Sequence, residues 1–360
     1  MTASRPAIEL DNVTIKYGTH VAVKGVSLTV GQGEFVTLLG PSGSGKTTLL
    51  NLVAGAFAPA SGKVFIQGKD VSFAPTHTRN IGMVFQSYTL FPSKTVARNV
   101  AFPLQIRGES AQRCDARVAE ALKTVRLLEH ADKLPAQISG GQAQRVALAR
   151  AIVFEPDILL FDEPLGALDR ALRKDLQREI RRIQQNINVP ALYVTHDQEE
   201  AMSMSDRIVL FRDGLIVQQG SPREVYETPR SVWAATFLGE ANVWPLTRVL
   251  EDRNGTLTAE SEGFRFTFAP GFDSGLREGA WIISRPEDCR LSPEPLADGS
   301  SYPARIVGLE YLGAMQSVTV ALDGGPTLTA ITTGRGQRLA PGDVVHCSWR
   351  PGSHSIVPRD

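Results

Sequence analysis

Cysteine is scarce in this chain: Cys114, Cys289 and Cys347 are the only three, far apart and in no metal-ligand or redox spacing. That argues against a disulfide framework and suits a reducing compartment. Net charge is missing as well. Lys plus Arg and Asp plus Glu number 38 each, so no broad attraction to nucleic acid or acidic lipid is expected, although local basic patches stay open. No apolar run approaches the ~18 residues a membrane-spanning helix needs. Met1–Pro6 lacks the apolar core of a secretory signal. Any membrane role is therefore expected to depend on a separate partner that crosses the lipid.

What is present is a 42% hydrophobic content over 360 residues, enough to bury a large core and to form two domains rather than one. The most informative stretch is Gly40-Pro41-Ser42-Gly43-Ser44-Gly45-Lys46-Thr47. An apolar run over residues 34–39 reads as a buried strand before it, and residues 47–53 read as a helix after it. The loop thus sits where backbone N–H groups converge on an anion. Gly40, Gly43 and Gly45 allow a tight turn and close approach to oxygen. Lys46 is placed to reach the β- and γ-phosphates, and the hydroxyl of Thr47, followed by Thr48, to ligate Mg²⁺. A glycine-rich turn that merely joins strand to helix would not need the lysine and hydroxyl at these places. The chain is expected to bind a nucleoside triphosphate.

Short apolar runs alternate with helical patterns over residues 8–238, predicting an α/β domain with a largely parallel sheet. Residues 8–30 read instead as paired antiparallel strands. Apolar residues at helical spacing over 112–130 (Val118, Ala121, Leu122, Val125, Leu128) predict a helical insertion at about 88–150. Residues 157–162 and 191–195 read as central strands. Residues 208–217 read as a hairpin turning at Asp213-Gly214, and 230–238 as a short joining helix. Beyond Gly239 short strands alternate with turn pairs such as Asn254-Gly255, Pro270-Gly271, Asp323-Gly324 and Pro341-Gly342. That texture predicts a small β-barrel over 239–360.

Further segments, in order along residues 8–238, resemble the ATP-binding subunit of an ABC transporter. Asp162-Glu163 closes a strand where the family carries its Walker B motif; the resemblance implies that Asp162 helps hold Mg²⁺ and Glu163 polarises the attacking water. Ser139-Gly140-Gly141-Gln142 resembles the signature motif, with Ile138 where leucine is usual. Capping alone would be the default reading of one Ser-Gly-Gly. In the family that helix end meets the γ-phosphate held by the opposite subunit, which implies a head-to-tail homodimer with two ATP molecules between its halves. Gln86 is similar to the glutamine that senses Mg²⁺ and water and couples to the membrane partner. His196 is similar to the switch histidine on the γ-phosphate, and Tyr17 to the aromatic that stacks on adenine. Gly166-Ala167-Leu168-Asp169 resembles the D-loop, with glycine in place of the frequent serine.

Ser284-Arg285-Pro286-Glu287-Asp288, Glu310-Tyr311-Leu312-Gly313 and Gly342-Asp343-Val344-Val345 resemble, more loosely, the TOBE domain of bacterial importers. Residues 164–169, 195–201 and 237–242 look most like the spermidine/putrescine branch; ferric-iron, sulfate and other small-solute branches share much of this. The resemblance implies an ATPase at the cytoplasmic face of the inner membrane, working with permease subunits and indirectly with an extracytoplasmic solute-binding protein, and no nucleic acid. A non-transport ABC ATPase would usually need paired nucleotide domains or a long coiled-coil arm, and neither is visible.

Overall fold

The computed structural model describes residues 5–166, 170–251, 257–261, 264–267, 279–296, 301–333, 339–350 and 352–358. Two units divide the chain, residues 1–223 and 224–360.

In chain order the first unit runs β1 (Ile8–Tyr17), β2 (His20–Val30), β3 (Phe35–Leu39), α1 (Lys46–Ala54), β4 (Ser61–Ile66), β5 (Lys69–Asp70) and β6 (Ile81–Val84). There follow α2 (Val96–Ile106), α3 (Ala111–Thr124), α4 (Gly140–Ile152), β7 (Ile158–Asp162), α5 (Arg170–Ile187), β8 (Ala191–Thr195), α6 (Gln198–Met204), β9 (Arg207–Arg212) and β10 (Leu215–Gly220). β1 pairs antiparallel with β2, as expected for residues 8–30, and also with β4, and buries Ile8, Leu10, Val13 and Ile15.

The main sheet has the order β10-β9-β3-β8-β7-β6. Its strands β9, β3, β8, β7 and β6 are parallel, and β10 closes the edge antiparallel through Asp213-Gly214, both in the left-handed region at φ 50° and 81°. Parallel strands covered on both faces need continuous apolar runs. β3 and β8 are buried at every residue, and β7 at all but Asp162. Register then assembles the functional edge, because Val84 stands opposite Phe161, Asp162 opposite Val194, and Leu39 opposite Thr195. The loops leaving β6, β7, β8 and β3 therefore emerge side by side at the strands' carboxyl ends.

The helical insertion consists of α2, α3 and α4 packed around Val100, Leu104, Val118, Leu122, Val146 and Ala147. The helix expected through residue 130 ends at Thr124. Arg126 takes a left-handed φ of 57°, which rotates the chain, so that Leu127 rather than Leu128 is buried and residues 128–130 form one 3₁₀ turn. Arg79 closes the far end of α1, donating through Nη1 to the carbonyls of Leu52 and Val53, each at 2.8 Å. These are carbonyls that the last turn of a helix leaves without partners.

The described part of the second unit is built of antiparallel strands preceded by short helices. Val232–Phe237 is the joining helix expected near 230–238, capped by the Ser231 hydroxyl on the Ala234 amide. Sequence texture places the join after Leu238, whereas residues 224–238 pack with the β unit. Arg285 explains this: its guanidinium donates to the carbonyls of Ala235, Glu240 and Tyr226 and lies 4.1 Å from the Tyr226 ring centre. Strands 289–292, 344–349, 302–311, 315–322 and 327–333 form a five-stranded sheet, and 242–245, 281–284 and 354–357 a three-stranded one. Together with residues 248–251, 257–261 and 264–267 they enclose a core of Trp244, Phe266, Val318, Val320 and Cys347, the barrel-like all-β arrangement expected. Asn254-Gly255 and Pro270-Gly271 lie outside the described residues.

His354 is buried in this unit, with Phe266 edge-on to its ring at 5.0 Å. Burial pushes its imidazole from the usual 6.5 down to about 4. Between those values the unfolded chain takes up a proton that the folded one refuses, so stability falls as pH drops. Denaturant titrations should show a loss of about 2 kcal/mol from this group between pH 7 and pH 5, and His354→Phe should flatten that slope.

A phosphate loop and a carboxylate–histidine pair

The loop after β3 is shaped by glycines that nothing larger could replace. A Cβ on Gly40 would lie 2.0 Å from the Phe211 carbonyl oxygen, and one on Gly45, at φ 103°, would lie 2.6 Å from the Ala22 carbonyl oxygen. Gly45 leads into α1 with no side-chain cap on the helix start. The first amides of that helix are thus left for an anion. Pro41, Ser42 and Gly43 are exposed, whereas Ser44 is buried.

Lys46 is 4% exposed, and its ammonium donates to the carbonyls of Gly40 and Pro41, each at 2.8 Å, with the Ser44 hydroxyl at 3.5 Å. Burial pulls its pKa down, while Glu163 and Asp162 push it back up. A buried cation held mainly by neutral carbonyls is an electrostatic invitation to an anion. Beside it the Thr47 hydroxyl donates to Asp162 Oδ1 at 2.9 Å. Desolvation raises the Asp162 pKa, opposed by that hydrogen bond. Glu163 follows at φ 44°, its amide bonded to the Val194 carbonyl at 3.0 Å, and its Oε2 lies 3.2 Å from His196 Nδ1. The pair joins the ends of β7 and β8.

His196 stands on a braced turn. The Asp197 amide donates to Thr195 Oγ1 at 3.0 Å, Asp197 Oδ1 caps the Glu200 amide at 3.1 Å, and Arg173 Nη1 donates to Asp197 Oδ2 at 2.8 Å. The Glu200 carboxylate, 2% exposed, accepts from the hydroxyls of Tyr193 and Thr195, each at 2.8 Å. Sequence reasoning missed these supports. Asp197 followed three residues later by Glu200 before an apolar helix start is the visible signal of such a cap.

One open cleft of about 300 Å³ gathers Tyr17, Ser42, Gly43, Gly45, Lys46, Thr47, Thr48 and Glu163, and adds His20 and Ala22, which the sequence did not single out. Tyr17 is 52% exposed, its ring T-shaped to Phe57 at 5.8 Å. Gln86 reaches the turn after Glu163, its Nε2 3.5 Å from where a Cβ on Gly166 would sit. Residues 167–169 of the expected D-loop lie outside the described residues.

Ser139, Gly140, Gly141 and Gln142 form a well-built helix start, but none of them lines that cleft. Ser139 Oγ accepts from the Gln142 amide at 3.3 Å and Gln142 Oε1 from the Ser139 amide at 2.9 Å, a reciprocal cap. Ser139 and Gly140 are exposed, while a Cβ on Gly141 would lie 2.9 Å from Leu172 Cδ1.

Residues 23–166 match the ABC transporter family, and residues 284–357 the TOBE domain. A spermidine/putrescine import ATP-binding protein of Pseudomonas aeruginosa is 41% identical over 98% of this chain and 99% of its own length. The chain belongs to the ABC transporter family. An iron(III) import ATP-binding protein of Brucella abortus is 45% identical over 87% of each chain. Among solved structures, a Clostridium perfringens ABC transporter component matches 61% of this chain and 90% of its own, at 28% identity and a TM-score of 0.58. A dimeric ATP-binding cassette in a post-hydrolysis state, with ADP and phosphate bound, matches 60% of this chain and 99% of its own, at 35% identity and a TM-score of 0.53. This ABC protein is a nucleotide-binding ATPase coupled to transport. No helix among its described residues is long and apolar enough to cross a membrane.

Proposed function

We propose that this subunit hydrolyses ATP to drive import of a polyamine through a separate membrane permease. The observation that carries the reading is the cleft that buried Lys46, exposed Thr47 and half-buried Glu163 share with the exposed ring of Tyr17. Lys46 and the amides of residues 42–48 bind the phosphate chain, and Tyr17 stacks on adenine. Thr47 and Asp162 present hard oxygen donors 2.9 Å apart, which suits Mg²⁺ held by one carboxylate, one hydroxyl and the nucleotide's own oxygens, with Gln86 as a further candidate donor. Bound there, Mg²⁺ neutralises charge on the phosphates. Glu163 accepts the proton of the attacking water, and His196 fixes the orientation of its carboxylate from 3.2 Å away.

Because Ser139 to Gln142 stand away from this cleft, they serve the nucleotide of a second copy. Two protomers then enclose two ATP molecules, and loss of the γ-phosphates lets them part. Shifting such an equilibrium from mostly open to mostly closed takes about 5.5 kcal/mol of differential binding. The subunit acts at the cytoplasmic face of the membrane, with an extracytoplasmic binding protein delivering the solute.

The near full-length likeness to spermidine/putrescine import proteins favours polyamine, and the likeness to an iron(III) import protein supplies the rival. Reconstitution with the permease in vesicles should give ATP turnover that rises when spermidine-loaded receptor is added. A rise with ferric-loaded receptor alone would replace polyamine by iron.

A further inference from the structure

Two consecutive residues just beyond Gln86 are held in a conformation that their side chains disfavour. Tyr88 and Thr89 lie in the left-handed region at φ 58° and 46°, and neither is glycine. For a residue with a Cβ that state is disfavoured on the order of tenfold, and Thr89 adds a β-branch. The Tyr88 hydroxyl is also buried without a hydrogen-bond partner among the described residues. Such a segment persists only where its surroundings impose it.

Besides the turn hydrogen bonds from the Tyr88 amide to the Phe85 carbonyl and from the Thr89 amide to the Ser87 carbonyl, the far end of α4 holds it. Arg150 Nη1 donates to the Thr89 carbonyl at 2.8 Å, and Nη2 donates to the Tyr88 carbonyl at 2.8 Å and to Thr89 Oγ1 at 3.1 Å. The planar fork of a guanidinium fits two neighbouring carbonyls at once, which a lysine ammonium would not do. No acidic side chain pairs with Arg150 among the described residues, and burial pulls its pKa down. Arg150 is half-buried, and its whole fork is spent on this one left-handed segment. Downstream, Asn99 bonds the carbonyls of Phe91, Lys94 and Thr95, so residues 91–95 are tied to α2.

We infer that Arg150 is a positioning residue for Gln86: by gripping Tyr88 and Thr89 it keeps the Gln86 amide against the Gly166 turn that follows Glu163. The inference rests on the ATPase reading of that cleft and deepens it. Arg150 lies on the same helix as Ser139, roughly 16 Å along its axis. A displacement of the Ser139 end by a second protomer's nucleotide therefore reaches Gln86 through one rigid element and three hydrogen bonds.

The full-length chain is assayed for Mg-ATP turnover alongside hydrogen exchange of amides 86–90 and thermal unfolding. Arg150→Ala should lower kcat about tenfold while KM for ATP changes less than about twofold, since the phosphate loop is untouched. Exchange at 86–90 should rise. Glycine adopts the left-handed state without penalty, so Thr89→Gly added to Arg150→Ala should recover kcat at least about threefold without recovering the melting temperature. A merely structural arginine would show the reverse, with no recovery of kcat. Should Arg150→Ala fail to fold, Arg150→Lys takes its place with the same expected rescue. Unchanged kcat and unchanged exchange at 86–90 would overturn the inference. Absence of turnover in the unaltered chain would strike the ATPase reading instead, leaving exchange at 86–90 to judge the role of Arg150.

Discussion

Glu163→Gln should hydrolyse Mg-ATP about 10²- to 10⁴-fold more slowly than the unaltered chain while binding ATP with affinity within about twofold. The substitution keeps size and one acceptor oxygen, so the contact with His196 Nδ1 at 3.2 Å survives. The backbone survives too: the Glu163 amide is tied to the Val194 carbonyl at 3.0 Å, and its carbonyl accepts from Gly166 at 3.3 Å, neither of which involves the side chain. What is lost is the group proposed to take the proton. Lys46, Thr47 and Asp162 remain to hold the triphosphate, so nucleotide should bind, persist and accumulate a closed dimer visible by light scattering. Single-turnover kinetics separates chemistry from release. Normal turnover in this variant would remove Glu163 from the role of base and leave His196 as the next group to test.

The glycine-rich loop between β3 and α1 was legible because its pattern is local. Gly40 to Thr48 lie on one turn, and residue types at fixed spacing suffice to define an anion cradle. The same holds for the cap at Ser139 and the hairpin at Asp213-Gly214. Contacts between distant parts of the chain leave no local pattern. Thr47 and Asp162, 115 positions apart, meet because β3, β8 and β7 adopt a particular order, and only the family resemblance put both on one Mg²⁺. The grip of Arg150 on Tyr88 and Thr89 leaves no trace in a local pattern, nor does the capping of α1 by Arg79. The misplaced end of α3 has a different cause. Apolar spacing continues past Thr124, but a left-handed Arg126 with no glycine to announce it shifts the buried position by one residue.

The placement of Ser139 predicts which chain completes which site. Suppose a dimer carries Ser139→Arg in one protomer and Glu163→Gln in the other. If each helix start serves the partner's nucleotide, both lesions fall on one site and the second site is intact. Placing both substitutions in one protomer, with an unaltered partner, spreads the damage over both sites. Single-turnover hydrolysis should then proceed in about half the sites of the first arrangement and be lost from both sites of the second, because each lesion removes transition-state stabilisation from one cage only. A helix start that served its own chain's nucleotide would give the opposite order, with the second arrangement the active one. Loss of the cap should cost about 1 kcal/mol of stability equally in both arrangements, so it cannot produce the difference between them. The exposure of Ser139 and Gly140, and their absence from the lining of the cleft that holds Lys46, is the physical reason to expect the crossed result.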